Sequence, residues 1–96
     1  MSAKKAYQDK MEAQLKEWQA KIEVLKAKAD KTEAEQRAKY YERIEKLRAK
    51  KKEADAKLAE LRNAGEGAWE DIKDGMEMAW EDLKLAVDEA VDKFRK

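Results

Sequence analysis

Hydrophobic residues recur every three or four positions along almost the whole chain, which is the spacing of one face of an α-helix. Residues 3–63 contain neither glycine nor proline, and strong helix formers predominate there. The pattern predicts one continuous helix over about residues 3–63, a rod about 90 Å long. A second hairpin near residue 31 is the alternative, because Thr32 and Gln36 interrupt the hydrophobic face.

The last third of the chain has a hydrophobic repeat of eleven residues, a hendecad repeat, which is close to three whole helical turns. The segment Trp69-Glu70-Asp71-Ile72 recurs in similar form as Trp80-Glu81-Asp82-Leu83. Steps of three, four and four place the apolar residues of this segment on one face. The repeat therefore predicts a second helix over about residues 68–95.

A glycine-containing segment, residues 64–67, separates the two hydrophobic patterns. Gly65 and Gly67 are expected to supply the positive φ values that a helix end and a tight reversal need. We therefore predict an all-α fold, a single helical domain over residues 1–96. A long helix, a glycine turn and a shorter antiparallel helix form a hairpin that assembles into a coiled-coil-like helical bundle.

The second helix is about half as long as the first, so it can cover only about residues 35–63. The apolar positions of these two segments are the predicted packing surface within the chain. They are Tyr40, Ile44, Leu47, Leu58, Leu61, Trp69, Ile72, Met76, Trp80, Leu83, Val87, Val91 and Phe94.

The N-terminal half of the long helix would then have an uncovered hydrophobic face, which is unusual for a monomer. We expect a second chain to cover it, with two long helices antiparallel about a two-fold axis near residues 32–36. The predicted oligomer interface consists of Met11, Leu15, Trp18, Ile22, Leu25, Thr32 and Gln36.

The composition excludes the commonest catalytic chemistry. The 96 residues include no histidine and no cysteine, so the chain has no imidazole base, no thiolate nucleophile and no zinc ligand set of the usual kind. The glycine segment also lacks the lysine and hydroxyl residue of a phosphate-binding loop. We expect a protein that is not an enzyme and has no metal site and no cofactor.

Charge is unevenly distributed along the chain. Residues 1–64 contain 18 Lys or Arg and 12 Asp or Glu, a net charge of +6, whereas residues 68–96 contain 5 and 9, a net charge of −4. The most basic run, residues 46–52, could indicate a nucleic-acid site. Because an acidic segment of the same chain can neutralise that run, nucleic acid is an unlikely partner.

Five segments of the chain have a distinctive sequence: the opening Ser2-Ala3-Lys4-Lys5-Ala6-Tyr7-Gln8, the segment Lys10-Met11-Glu12-Ala13-Gln14-Leu15-Lys16-Glu17-Trp18, Tyr40-Tyr41-Glu42, Ala68-Trp69-Glu70-Asp71 and Ala79-Trp80-Glu81-Asp82-Leu83-Lys84. Together they resemble a family of small uncharacterised bacterial coiled-coil proteins. The resemblance covers nearly the whole chain and implies a soluble helical protein of bacterial origin. It implies no activity and no catalytic or binding residues.

Two functions remain open at this point. The first is a non-enzymatic structural or interaction protein that forms a helical homo-oligomer, with an antiparallel homodimer expected, and that could also bind another protein. The alternative is reversible binding to a lipid surface, since amphipathic eleven-residue repeats and tryptophan suit a membrane interface. No signal peptide and no run of roughly 18 apolar residues is visible, so we expect a cytoplasmic protein.

Overall fold

The computed structural model describes residues 3–95 and shows three α-helices in that range. Helix α1 spans Ala3–Asp30, α2 spans Ala34–Asn63 and α3 spans Trp69–Phe94. The three helices pack side by side as an elongated bundle of 51 × 19 × 18 Å. The expectation of an all-α helical bundle is confirmed. Residues 1, 2 and 96, which the predicted domain included, lie outside the described residues.

The first helical segment differs from the prediction. Instead of one helix over residues 3–63, the chain turns at residues 31–33 and α1 folds back along α2. This is the second hairpin near residue 31, which was the alternative interpretation of the sequence. Folding back buries the hydrophobic face of α1 within its own chain, and each large apolar side chain contributes about 1.5–3 kcal/mol when buried. That gain outweighs the few backbone hydrogen bonds that a continuous helix would have at residues 31–33.

Polar contacts hold the N-terminus of α1 beside the end of α2. The Lys4 ammonium donates to the carbonyl oxygens of Arg62 and Ala64 at 3.3 and 2.5 Å, where the last helical carbonyls have no partner within the helix. Arg62 also forms an ion pair with Glu12, with Nη2 and Oε1 2.8 Å apart. These contacts fix the antiparallel register of the two helices.

The turn between α2 and α3 forms without positive φ values. Ala64 is extended, with φ −78° and ψ 144°, and the Trp69 N–H donates to the Gly65 carbonyl. No glycine within residues 3–95 has a positive φ, so the role predicted for Gly65 and Gly67 is wrong. The extended Ala64 provides the reversal instead, and α3 then begins with an ordinary helical turn.

One hydrophobic core runs along the bundle and draws on all three helices. The side chains that are almost completely inaccessible to solvent come from each of them, for example Ile22 from α1, Ile44 and Leu61 from α2, and Met76 and Leu83 from α3. None of the described residues with a buried side chain is polar or charged. Stability therefore depends on apolar packing, as expected for a short chain without disulfides.

Candidate interaction surfaces

The structure places most of the predicted oligomer interface inside the bundle. Five of these residues are buried against α2 and α3 of the same chain: Met11, Leu15, Trp18, Ile22 and Leu25. The two polar ones differ, since Thr32 is half-buried and Gln36 is exposed. The expectation that a single chain leaves the hydrophobic face of α1 uncovered is therefore wrong. The turn at residues 31–33 brings this face against α2 and α3 of the same chain.

The residues predicted to pack within the chain all lie in or against the core. Ten of them are buried, and Tyr40, Ile72 and Val91 are partly buried and pack against the others. Aromatic pairs occur at three levels of the bundle: Tyr7 with Trp69, Trp18 with Trp80, and Tyr40 with Phe94, with ring centroids 5.7, 6.5 and 4.3 Å apart. Because all three tryptophans are at most 7% exposed, a lipid surface could reach them only if the bundle opened.

The turn at residues 31–33 is held by a small set of polar contacts. Thr32 Oγ1 donates to the Lys28 carbonyl at 2.9 Å, and the Arg37 guanidinium donates to the Thr32 carbonyl at 3.0 Å. The Tyr41 hydroxyl contacts Asp30, and this contact lowers the pKa of the Asp30 carboxyl. No side chain caps the start of α2. The turn is thus a surface feature with few bonds and no buried anchor.

The backbone of this turn leaves the helical conformation at Glu33, while the two residues before it keep helix-like hydrogen bonds. Lys31 and Thr32 donate to the carbonyls of Lys28 and Ala29, three residues earlier, as in the last turn of many helices. Glu33 has a helical φ of −58° and an extended ψ of 147°. The sequence here contains no glycine or proline, and no residue within 3–95 has a positive φ. Each residue of the turn could therefore adopt a helical conformation.

The outer face of α3 carries exposed apolar side chains. We define this face as Asp74, Met78, Glu81, Leu85, Asp88 and Asp92, which follow one another in steps of four and three. Met78 is 75% exposed and Leu85 58%, whereas Met76 and Leu83 on the opposite side of the helix are fully buried. The sequence pattern did not predict this exposed apolar face, because the hendecad repeat accounts for the helix without it. The feature that could have revealed it is the presence of apolar residues, Met78 and Leu85, outside the predicted core face.

The edge of α3 that faces α2 is neutralised by basic side chains. Lys50 and Asp82 form an ion pair with Nζ and Oδ2 2.6 Å apart, and Lys93 pairs with Glu89 at 3.1 Å. Lys39 and Arg43 line the same groove between the two helices. Within residues 3–95, Lys50 is the residue of the basic run that forms an ion pair with α3.

An open groove of about 550 Å³ lies between α1 and α3 near the turn at residues 31–33. Its apolar floor is formed by Ala20, Leu25 and Val91, with Val24 56% exposed at the rim. Basic and acidic side chains alternate around it, so its rim has no dominant charge. Of the three helix pairs, α1 and α3 are packed together least extensively.

Two buried polar atoms among residues 3–95 have no hydrogen-bond partner: the Tyr7 hydroxyl and the Trp80 indole N–H. Burial, followed by the negative charge of Glu77, raises the pKa of Tyr7 to about 12. Lys73 lies 5.4 Å from the centre of the Tyr7 ring. Glu77 also interacts with this hydroxyl and the residue is only partly buried, so the polar penalty is smaller than that of a fully buried, unpartnered hydroxyl, about 1–3 kcal/mol.

Tyr7→Phe is therefore expected to change the unfolding free energy at neutral pH by no more than about 1 kcal/mol. The natural protein should lose stability as the pH rises from 10 to 12, because unfolded tyrosine ionises near pH 10 while folded Tyr7 keeps its proton to about pH 12. Tyr7→Phe has no such ionisable group, so its unfolding free energy relative to that of the natural protein should increase with pH. Urea unfolding at pH 7 and at several pH values above 10 measures this difference.

The matched control is Tyr40→Phe, which removes a solvent-exposed hydroxyl and leaves the ring packed on Phe94. It should give no gain in stability at neutral pH. A loss of more than about 1 kcal/mol in Tyr7→Phe at neutral pH would mean that the hydroxyl makes a favourable bond.

No group of three or more acidic residues within 3–95 is arranged to hold a metal ion. None of the helices described there is long and apolar enough to cross a membrane. Comparison with known proteins gives no match to a family model, to a curated protein or to a solved structure. The two surfaces that can support a functional argument are the turn at residues 31–33 and the outer face of α3.

Proposed function

We propose that this protein is a non-enzymatic structural protein that assembles as an antiparallel homodimer by exchanging α1. In the dimer, residues 31–33 become helical and join α1 to α2. The α1 of each chain then packs against α2 and α3 of the other chain. Each end of the dimer repeats the three-helix core of the monomer, with one helix supplied by the partner.

The observation that carries this proposal is the register of core residues across the turn. Four buried positions of α1 recur in α2 after 36 residues, which is ten whole helical turns. The pairs are Met11 with Leu47, Trp18 with Ala54, Ile22 with Leu58, and Leu25 with Leu61. In a continuous helix both halves would present their core residues on the same side, as a partner lying along that side requires.

The folded-back monomer and the exchanged dimer are expected to differ little in free energy per chain. Every residue of the turn can be helical, and the bonds lost at Thr32 and Arg37 lie at the surface. New helical backbone hydrogen bonds would replace them. Because the core contacts are the same in both forms, the balance depends on the turn and on protein concentration. The limited packing of α1 on α3 favours release of α1.

Solution mass and shape test this proposal directly. Light scattering across a range of concentrations should show a dimer that increases with concentration. Small-angle X-ray scattering should give a largest dimension near 51 Å for the monomer and about 90 Å or more for the dimer, because the joined helix alone has that length. A monomer at every concentration after refolding from urea would contradict the proposal.

Spin labels distinguish exchange from any other dimer. The chain has no cysteine, so single cysteines can be placed at the exposed positions Ala34 and Ala20. In the antiparallel dimer the two labels at residue 34 should lie within about two helix diameters. Labels at residue 20 should be about 40 Å apart, since about 13 residues at 1.5 Å each separate this position from the two-fold axis on either side. Short distances at both positions would indicate a parallel pair.

Reversible lipid binding is the competing proposal. It predicts that the protein floats with phospholipid vesicles at low salt and that tryptophan emission shifts to the blue. If flotation occurs while the mass remains that of a monomer, lipid binding replaces dimer exchange as the proposed function.

A further inference from the structure

The outer face of α3, defined above, is a helix face without a partner. Met78 and Leu85 are seven residues apart, so they lie on one line along the helix, two turns from each other. They are 75% and 58% exposed, whereas the core residues of the same helix are covered. Together with Asp74, Glu81, Asp88 and Asp92 they follow a spacing of four and three, which is the spacing used when one helix packs along another.

The four charged residues of this face are all acidic, and Lys84, next to Leu85 in the sequence, lies at its margin. No lysine or arginine occurs at any of the six positions of this face. Asp92 is 3.9 Å from Arg95 at the end of the helix, and Asp74, Glu81 and Asp88 have no ion pair within residues 3–95.

Elsewhere on the bundle, exposed charges of opposite sign pair four residues apart, such as Lys5 with Asp9 on α1, at 3.0 Å, Lys51 with Asp55 on α2, at 2.8 Å, and Lys93 with Glu89 on α3, at 3.1 Å. The outer face of α3 has no such pair among its six positions.

We infer that the outer face of α3 binds a cationic amphipathic helix of another protein. Leucine-like side chains of that helix would contact Met78 and Leu85, and its lysines or arginines would lie beside the acidic residues of the face. The same face of a second copy is excluded as partner, because like charges would oppose each other. Nucleic acid and anionic lipid are excluded on the same ground. The face remains available whether or not α1 is exchanged, so this inference is independent of the proposed dimer.

A synthetic helical peptide tests the inference. The probe has leucine at heptad positions and lysine at the flanking positions, and a matched peptide has glutamate in place of each lysine. With isotope-labelled protein, chemical-shift changes on addition of the lysine peptide should map to residues 74–92. The glutamate peptide should give none, and binding should weaken as salt is raised.

Two variants separate contact with this face from general attraction to an acidic protein. Met78→Ser with Leu85→Ser removes both apolar contacts and keeps every charge, and we expect affinity to fall about tenfold or more. The control is Val24→Ser, which removes an exposed apolar side chain of α1 and should leave affinity unchanged. Both should melt like the natural protein, because all three residues are exposed.

Other outcomes would overturn the inference. Unchanged affinity in the double variant would mean that charge alone attracts the peptide. Shift changes centred on Ala20 and Leu25 of α1 would place binding in the groove between α1 and α3. Flotation with anionic vesicles that the double variant abolishes would identify the face as a lipid-binding surface.

Discussion

Glu33→Pro is expected to hold the protein in the monomeric form. In a continuous helix, proline at this position removes one backbone hydrogen bond and its ring clashes with the carbonyl of Ala29, which costs about 3 kcal/mol per chain. Two chains in the dimer double that penalty, so the dimerisation constant should fall by about four orders of magnitude.

The monomer should tolerate the same change. Glu33 already has φ −58°, within the range to which the proline ring restricts this angle. Its N–H is absent from the backbone hydrogen bonds of the turn described for residues 3–95. The variant should therefore keep the helical content of the monomeric bundle, with a small loss of melting temperature because proline disfavours the near-helical conformation of Thr32 before it.

Glu33→Ala is the matched control, because it also removes the carboxylate but favours a continuous helix. Light scattering should show the alanine variant with at least as much dimer as the natural protein and the proline variant with none at the same concentration. Equal amounts of dimer in the two variants would show that residues 31–33 remain a turn after assembly, which contradicts exchange of α1.

The turn at residues 31–33 shows where sequence reasoning was insufficient. Helix ends are usually recognised from glycine, proline or a capping side chain, and this turn contains no glycine or proline. Two weaker signals were present: Thr32 and Glu35 have the spacing of a capping box, although no side chain caps α2 in the structure, and the hydrophobic face is weak at Thr32 and Gln36. That weakness suits a break, but it also suits a polar register position in a dimer, and the local sequence does not distinguish them.

The opposite holds for α3. Its hendecad repeat predicted which side of the helix enters the core, and Trp69, Met76, Trp80 and Leu83 are all buried there. The prediction worked because eleven residues fit three helical turns so closely that one face stays apolar along the whole length. The repeat did not predict the apolar residues of the outer face, since Met78 and Leu85 occupy positions that it assigns to solvent.

The ambiguity at residues 31–33 has a physical origin. The core register continues from α1 into α2 after 36 residues, so the same sequence satisfies both a folded-back and a straight arrangement. Two arrangements with the same core contacts differ only in the turn and in the number of chains. The feature that made the single-chain fold hard to predict is therefore the one that supports the proposed dimer.

Leu83→Ala is expected to destabilise the bundle severely. Leu83 is fully buried in the core. Truncating a buried leucine costs about 2–5 kcal/mol, out of about 5–15 kcal/mol of unfolding free energy for a whole domain. For a domain of this size the melting temperature should fall by on the order of 10 °C or more. Circular dichroism at 222 nm during heating and in urea measures both quantities.

Leu85→Ala is the internal control, since it makes the same chemical change two residues away on the same helix. Leu85 is 58% exposed, so its truncation should change stability by no more than about 0.5 kcal/mol. Its effect should instead appear in weaker binding of the cationic peptide. A small loss of stability in both variants would mean that α3 does not pack through its hendecad face. A large loss in both would mean that Leu85 is covered in solution by a second copy of the chain, which would contradict the charge argument against self-association through the outer face of α3.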